Sequence, residues 1–397
     1  MSTSNETDES LVKFRCGKCD KVLKVKAESR GGKAKCPSCG EIVQVPEAHP
    51  SDLKGAGGVE VIEAGQVVSP PDPMNKGVSL KNEEGGTAAQ GIYRRITKEI
   101  EKVFIGQDEL VQGALVALFS NGHVLIESVP GLGKTLFVRT LGKVLGCDFG
   151  RIQFTADLMP SDITGAPVFN MKSQEFEFRP GPVFTQLLLA DEINRSPAKT
   201  HAALLEIMQE RRVTIDGNTY SLELPFLVVA TQNPIESEGT YNLPEAQLDR
   251  FMFNVVLDYP SFEEELAVVK NTTSDKKVSL SKVLTGEEIL KYQQLIRKIP
   301  IADNVTEYAV KLVAKTRPNT THATDRVNQF VSWGAGPRAS QYLVIGAKCH
   351  AAVNGKFSPD IEDLKAVATP ILRHRMVKNY KAEAEGISIE QLINELL

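Results

Sequence analysis

The sequence predicts an α/β domain built on a buried parallel sheet, followed by an all-helical domain and preceded by a small cysteine-bearing module. Three observations carry this. Five short apolar runs, HVLIE, RIQFT, LLLAD, FLVVAT and FNVVLD, recur between helix-period stretches within residues 92–260, as strands buried on both faces of a parallel sheet do. Across residues 261–397 such runs cease, and EEILKYQQLIRKI, VTEYAVKLVAK, PRASQYLVIGAKCHAAV and IEDLKAVATPILRHRM keep a helical period, which marks a separate domain. Four of the six cysteines fall in two C-x-x-C pairs within the first 40 residues.

A length of 397 residues allows two or three domains. With 42% apolar and 24% charged residues the chain is an ordinary globular one, and its net charge of -4 gives no bulk attraction for nucleic acid or anionic lipid. The polar start MSTSNETDES lacks a signal peptide's apolar core, and no stretch approaches the roughly 20 apolar residues of a membrane helix. The expected location is the cytoplasm. Residues 46–90 carry seven Gly, five Pro and no aromatic residue, so 47–91 reads as a flexible linker.

Within the module, 11–46, Cys16, Cys19, Cys36 and Cys39 have the spacing C-x2-C-x16-C-x2-C, expected of a four-thiolate zinc site. Two pairs at this spacing argue against separate redox pairs. No aromatic residue lies between Phe14 and Tyr93, so metal must supply most of the module's folding energy. Nine Lys or Arg face three Asp or Glu between Leu11 and Pro46. That surplus suits an acidic partner, but with nothing aromatic to stack on bases a protein-contact or tethering role is preferred over nucleic acid.

The run HVLIE leads into SVPGLGKT and then the helical LFVRTLGKVL, the strand, loop and helix order of a phosphate-binding loop. Val129, Pro130, Gly131, Leu132 and Gly133, with Lys134, Thr135 and Leu136 at the helix start, form the candidate nucleotide-binding segment. Backbone N–H groups and the helix N-terminus face phosphates, Lys134 reaches the β and γ oxygens, and Thr135 binds Mg²⁺. Ser128 stands where the usual pattern has its first Gly. The strand LLLA ends in Asp191 and Glu192, two carboxylates at the sheet edge where such folds bind ligands. Asp191 would hold Mg²⁺ and Glu192 would act as general base toward water. The strand FLVVA leads to Thr231, Gln232 and Asn233, which puts an amide at the same edge to orient the water.

Two hairpins are expected. In RRVTIDGNTYSLEL, Asp216 and Gly217 between alternating strand residues give a two-residue turn signal. In VFNMKSQEFEFRPGPVF, Phe176 and Phe178 alternate with Glu175 and Glu177, which suggests one apolar and one solvated face.

The stretches VFIGQ, ESVPGLGKT, RIQFTADLMPSDITG, FRPGPVF, LLADEINRSPAKTHAALLEIMQE, ATQNPIESEGTYNLPEAQLDRF and GAGPRAS cover most of 95–390, and with them the sequence resembles an AAA+ ATPase of the MoxR type. The resemblance implies an α/β P-loop NTPase core with a five-stranded parallel sheet and a helical lid, assembled into a ring, usually a hexamer. It places Ile105, Gly106 and Gln107 by the adenine and makes Asn233 sensor 1 and Arg338 sensor 2. Arg250 in LDRF looks like an arginine finger for the neighbouring subunit's ATP, with Arg195 and Arg179 as the runners-up. It further implies chaperone-like remodelling or maturation of partner complexes, often beside a protein with a von Willebrand A domain. A nucleic-acid-directed motor is the rival reading, against which stands the lack of a GAFTGA-like loop and of a helix-turn-helix signature. A magnesium-chelatase-like subunit is the other.

Overall fold

The computed structural model describes residues 11–16, 22–26, 32–36, 39, 41–45, 87–234, 240–273 and 278–397. The amino-terminal module and the remainder of the chain form separate compact units. In the module, β1 (Leu11–Arg15) pairs antiparallel with β2 (Val22–Lys26), and β3 (Lys33–Lys35) with β4 (Ile42–Gln44). Cys16 directly follows β1, while Cys36 and Cys39 lie between β3 and β4. Cys16, Leu23, Cys36 and Val45 are its buried residues among those described. Cys19 and linker residues 47–86 lie outside the described residues.

The second unit opens with α1 (Ala88–Glu101), whose first turn is capped by the Thr87 hydroxyl accepting from Gln90 N–H at 3.1 Å. The cap and two good helix formers, Ala88 and Ala89, draw residues 88–91 out of the expected linker and into the helix. Next come α2 (Asp108–Ser120), β5 (Val124–Ser128), α3 (Lys134–Leu145), β6 (Phe149–Gln153) and α4 (Pro160–Thr164). A hairpin of β7 (Gly165–Asn170) and β8 (Glu175–Pro180) precedes β9 (Leu187–Asp191) and α5 (Ala198–Glu210). A second hairpin, β10 (Arg212–Ile215) and β11 (Asn218–Ser221), precedes β12 (Leu227–Gln232), α6 (Glu245–Leu248) and β13 (Phe253–Leu257). Its turn residues Asp216 and Gly217 take φ of +49° and +78°, the paired left-handed geometry of a tight two-residue turn.

The sheet is five-stranded and wholly parallel, in the order β13-β5-β12-β9-β6. All five residues of β9 are buried, as are five of six in β12, because helices cover both faces. Parallel strands point every carboxyl end to one edge, so the residues after β5, β9 and β12 meet there.

The helical domain contains α7 (Phe262–Thr272), α8 (Gly286–Lys298), α9 (Asp303–Lys315), α10 (Asp325–Phe330), α11 (Pro337–Val353) and α12 (Ile361–Leu372). It also holds a short antiparallel pair, β14 (Val331–Trp333) with β15 (Val377–Lys378), and ends in α13 (Tyr380–Ala384) and α14 (Ile389–Leu396). Reciprocal capping boxes start α7 (Ser261 with Glu264), α8 (Thr285 with Glu288), α12 (Asp360 with Asp363) and α14 (Ser388 with Gln391). α2 is buried along most of its length and packs on β13, α8 and α11. One hydrophobic cluster therefore runs from the sheet through α2 into the helical domain.

Candidate nucleotide site

The loop between β5 and α3 needs left-handed backbone twice, with φ of +90° at Gly131 and +77° at Gly133, a conformation glycine adopts freely. A Cβ on Gly133 would also lie 3.3 Å from the ring of Phe104. That ring stands 5.1 Å from Phe137 of α3, which brings the following Ile105, Gly106 and Gln107 to the start of the loop helix. Gln107 is anchored by Nε2 donating to the Asp258 carbonyl at 3.0 Å.

Lys134 opens α3, and its Nζ donates to Ser128 Oγ at 2.7 Å and to the Val129 carbonyl at 3.3 Å. Ser128, the departure from the usual pattern, thus supplies an acceptor to the lysine. Burial pulls the Lys134 pKa down, while Asp191 and Glu192 oppose the shift. Thr135 is half-buried at the second position of the helix and Leu136 is exposed.

Asp191 ends β9 and is buried. Its Oδ1 accepts from Thr231 Oγ1 at 2.7 Å and its Oδ2 from Arg151 Nη2 at 2.7 Å. Each carboxylate oxygen keeps one further acceptor site, so Thr135 and Asp191 together offer the hard oxygen donors that Mg²⁺ prefers. Glu192 adopts φ +55°. Its Oε2 accepts from Gln153 Nε2 at 3.0 Å and from Arg195 Nη1 at 2.9 Å. Asn233 is buried after β12, and its carbonyl accepts from Asn194 Nδ2 at 3.4 Å.

The two expected arginines lie elsewhere. Arg250 and Arg338 line one cleft of about 170 Å³ with Asn121, His123, Met208, Gln209, Arg211 and Tyr342. Asn121 and His123 precede β5, whereas the phosphate loop follows it, so the length of the strand, about 16 Å from His123 to Ser128, separates the two places. Arg195 pairs with Glu192 of its own chain, and Arg179 sits in β8 of the exposed hairpin.

The sequence reading missed Thr231 as a bridge, Arg151 and Gln153 on β6, and the pair Asp249 and Arg375. Arg375 is 5% exposed, with Nε donating to Asp249 Oδ1 at 2.7 Å. Asp249 Oδ2 accepts from Arg338 Nη1 at 3.2 Å. Only the acid preceding an arginine in LDRF hinted at this.

In the module, the Sγ atoms of Cys16, Cys36 and Cys39 lie within 4.8 Å of one another, Cys16 and Cys39 at 3.6 Å. A tetrahedral zinc at about 2.3 Å from each sulfur sets neighbouring sulfurs about 3.8 Å apart, so the described thiols fit one.

Residues 123–253 match the model of the ATPase family associated with various cellular activities, and residues 323–396 match the AAA lid domain. The chain is 42% identical over 343 residues to the Chaperone MoxR1 of Mycobacterium tuberculosis, covering 86% of this chain and 89% of that protein. It is 30% identical over 305 residues to the Protein MoxR of Methylorubrum extorquens, covering 71% and 86%. The crystal structure of a candidate ATPase from Cytophaga hutchinsonii superposes with a TM-score of 0.73 at 43% identity, covering 78% of this chain and 94% of that one.

Proposed function

The chain belongs to the AAA+ ATPases of MoxR type, and from that premise we propose that it hydrolyses ATP with the residues gathered at the sheet edge and uses the energy to remodel partner proteins. The observation that carries the catalytic half is the meeting of Lys134, Asp191 and Glu192 at the carboxyl edge of one parallel sheet, after β5 and β9. The loop Val129–Leu136 takes the triphosphate, with Lys134 leaving Ser128 for the β and γ oxygens. Ile105, Gly106 and Gln107 flank the adenine. Thr135 and Asp191 hold Mg²⁺, which when bound neutralises charge on the phosphate oxygens. Glu192 accepts a proton from water as the water oxygen bonds to the γ-phosphorus and the bond to ADP breaks. Asn233 orients that water.

Arg250 and Arg338 line a cleft with residues that precede β5, whereas their own phosphate loop follows it, and this supports offering both to the ATP of a neighbour in a ring, a hexamer by family resemblance. The remodelling half is supported by likeness to a chaperone and by the β7–β8 hairpin, where Phe169, Met171 and Phe176 are 49%, 87% and 73% exposed. A protein with a von Willebrand A domain is the proposed kind of partner. Cys16, Cys19, Cys36 and Cys39 hold one Zn²⁺, whose module contacts protein. Buried free thiols at Cys147 and Cys349 support a reducing, cytoplasmic setting; among the described residues no helix is long and apolar enough to cross a membrane.

The experiment pairs Lys134→Ala with Glu192→Gln. The first loses ATP binding; the second binds ATP, turns it over at least about 10²-fold more slowly, and retains clients in a pull-down from the native host. Normal turnover by Glu192→Gln would remove Glu192 from the mechanism.

A further inference from the structure

Arg250 projects from a short turn whose N–H groups bond within the α/β domain, Met252 N–H to the His123 carbonyl at 2.8 Å among them, and whose carbonyls are held from the helical domain. The carbonyls of Asp249, Phe251 and Met252 all accept from the guanidinium of Arg375. The carbonyl of Arg250 itself accepts from Tyr342 Oη at 3.3 Å. Four consecutive carbonyls are therefore held by Arg375, after α12, and Tyr342, on α11, with His374 Nε2 also 3.1 Å from the Phe251 carbonyl. The guanidinium also bonds the Asp249 carboxylate and the Ile371 carbonyl and lies 5.1 Å above the Tyr342 ring. An arginine fork offers five N–H donors in a fixed plane, whereas a lysine has three on one rotating atom and cannot span the same set of acceptors. Such a clamp leaves the turn with one arrangement, whereas the Arg250 side chain stays half-buried at the rim of the cleft.

We propose that Arg375 is a positioning residue for hydrolysis at the neighbouring subunit: by clamping Asp249–Met252 it presents Arg250 to the neighbour's γ-phosphoryl in a fixed orientation. This rests on the reading of Arg250 as a finger acting across the subunit boundary. A finger works by meeting charge that develops on the transferring group, and a misplacement of about 1 Å can cost about 10²-fold in rate. Tyr342 assists through one hydrogen bond, and Asp249 neutralises the buried guanidinium.

The test uses the full chain carrying Arg375→Lys, Tyr342→Phe or Arg250→Ala, each alone and mixed with Lys134→Ala. Lys134→Ala chains cannot use their own ATP but carry an intact turn and finger. Arg375→Lys is expected to assemble, keep its ATP affinity and KM, and lose about 10²-fold in kcat. Tyr342→Phe loses about fivefold. Both recover activity on mixing, as Arg250→Ala does, because the damage lies in what a chain gives its neighbour. If Arg250→Ala recovers and Arg375→Lys folds but does not, or if its loss falls on ATP affinity, Arg375 merely holds the domains together and the proposal is overturned. If Arg250→Ala itself fails to recover in proven mixed rings, the finger reading fails, and this proposal with it. Should Arg375→Lys melt far below the parent, Tyr342→Phe decides: an unchanged kcat overturns the clamp, and a fall rescued by mixing supports it.

Discussion

Thr231 Oγ1 donates to Asp191 Oδ1 at 2.7 Å, and the same oxygen accepts the backbone N–H of Glu192 at 2.9 Å. One hydroxyl on β12 thus fixes both acids at the end of β9, including the left-handed backbone of Glu192 that aims its carboxylate. Thr231 is fully buried, so water cannot replace it. Thr231→Val keeps the shape but leaves an N–H without its acceptor and a carboxylate short of a donor. We expect a loss of about 1–3 kcal/mol in stability and a fall in kcat of more than about tenfold, with Thr231→Ser near normal. Urea melts and steady-state ATPase rates measure the two; a Thr231→Val enzyme with parental kcat would show that the bridge does not aim Glu192.

Metal removal separates the two compact units. Chelation followed by return of Mg²⁺, or Cys36→Ser, is expected to take zinc from about one per chain to near none and to unfold the module. ATP hydrolysis by the second unit should be unchanged, since its core is built without the module. Metal analysis of freshly purified, reduced protein settles the first point, and absence of zinc there rules the site out.

Stability should fall as the pH drops below about 6.5. His123 is buried, its pKa lowered by burial to about 4, with Nδ1 accepting from Val228 N–H at 3.0 Å. His374, also buried, has its pKa pushed well down by burial and by Arg375. Between about pH 6.5 and 4 the unfolded chain binds protons at these sites that the folded chain refuses, so unfolding free energy rises with pH. Each histidine contributes up to about 1.4 kcal/mol per pH unit. Urea midpoints at pH 7.5, 6.5 and 5.5 should decline in order, and the decline should shrink in His123→Gln. A flat profile would mean that neither ring is held neutral.

The gathering of Lys134, Asp191, Glu192 and Asn233 at one sheet edge was legible because they follow strands whose apolar runs announce themselves, and the parallel sheet order then brings them together. The same logic reached the Asp216–Gly217 turn, since few residues tolerate two left-handed positions in succession. What the sequence did not disclose are pairs far apart along the chain. Arg151 and Asp191 are 40 residues apart and Asp249 and Arg375 are 126 apart, and each looks like an ordinary surface charge until the fold pairs them. Arg338 was legible as a residue type but not as a place: only the packing of α11 shows it beside Asp249 rather than toward the loop that follows β5.

Because α2 is shared, a hinged swing of the helical domain would have to break a common core. Gln293 of α8 donates to the buried Leu118 carbonyl of α2 at 2.7 Å, and the Phe119 and Tyr292 rings meet at 5.9 Å. A swing would expose apolar area costing about 25 cal/mol per Å², with little to replace it. On the remodelling role proposed above, this shared core favours a stroke between neighbouring chains over one between the two domains of a single chain, and predicts that no stroke survives in an isolated monomer.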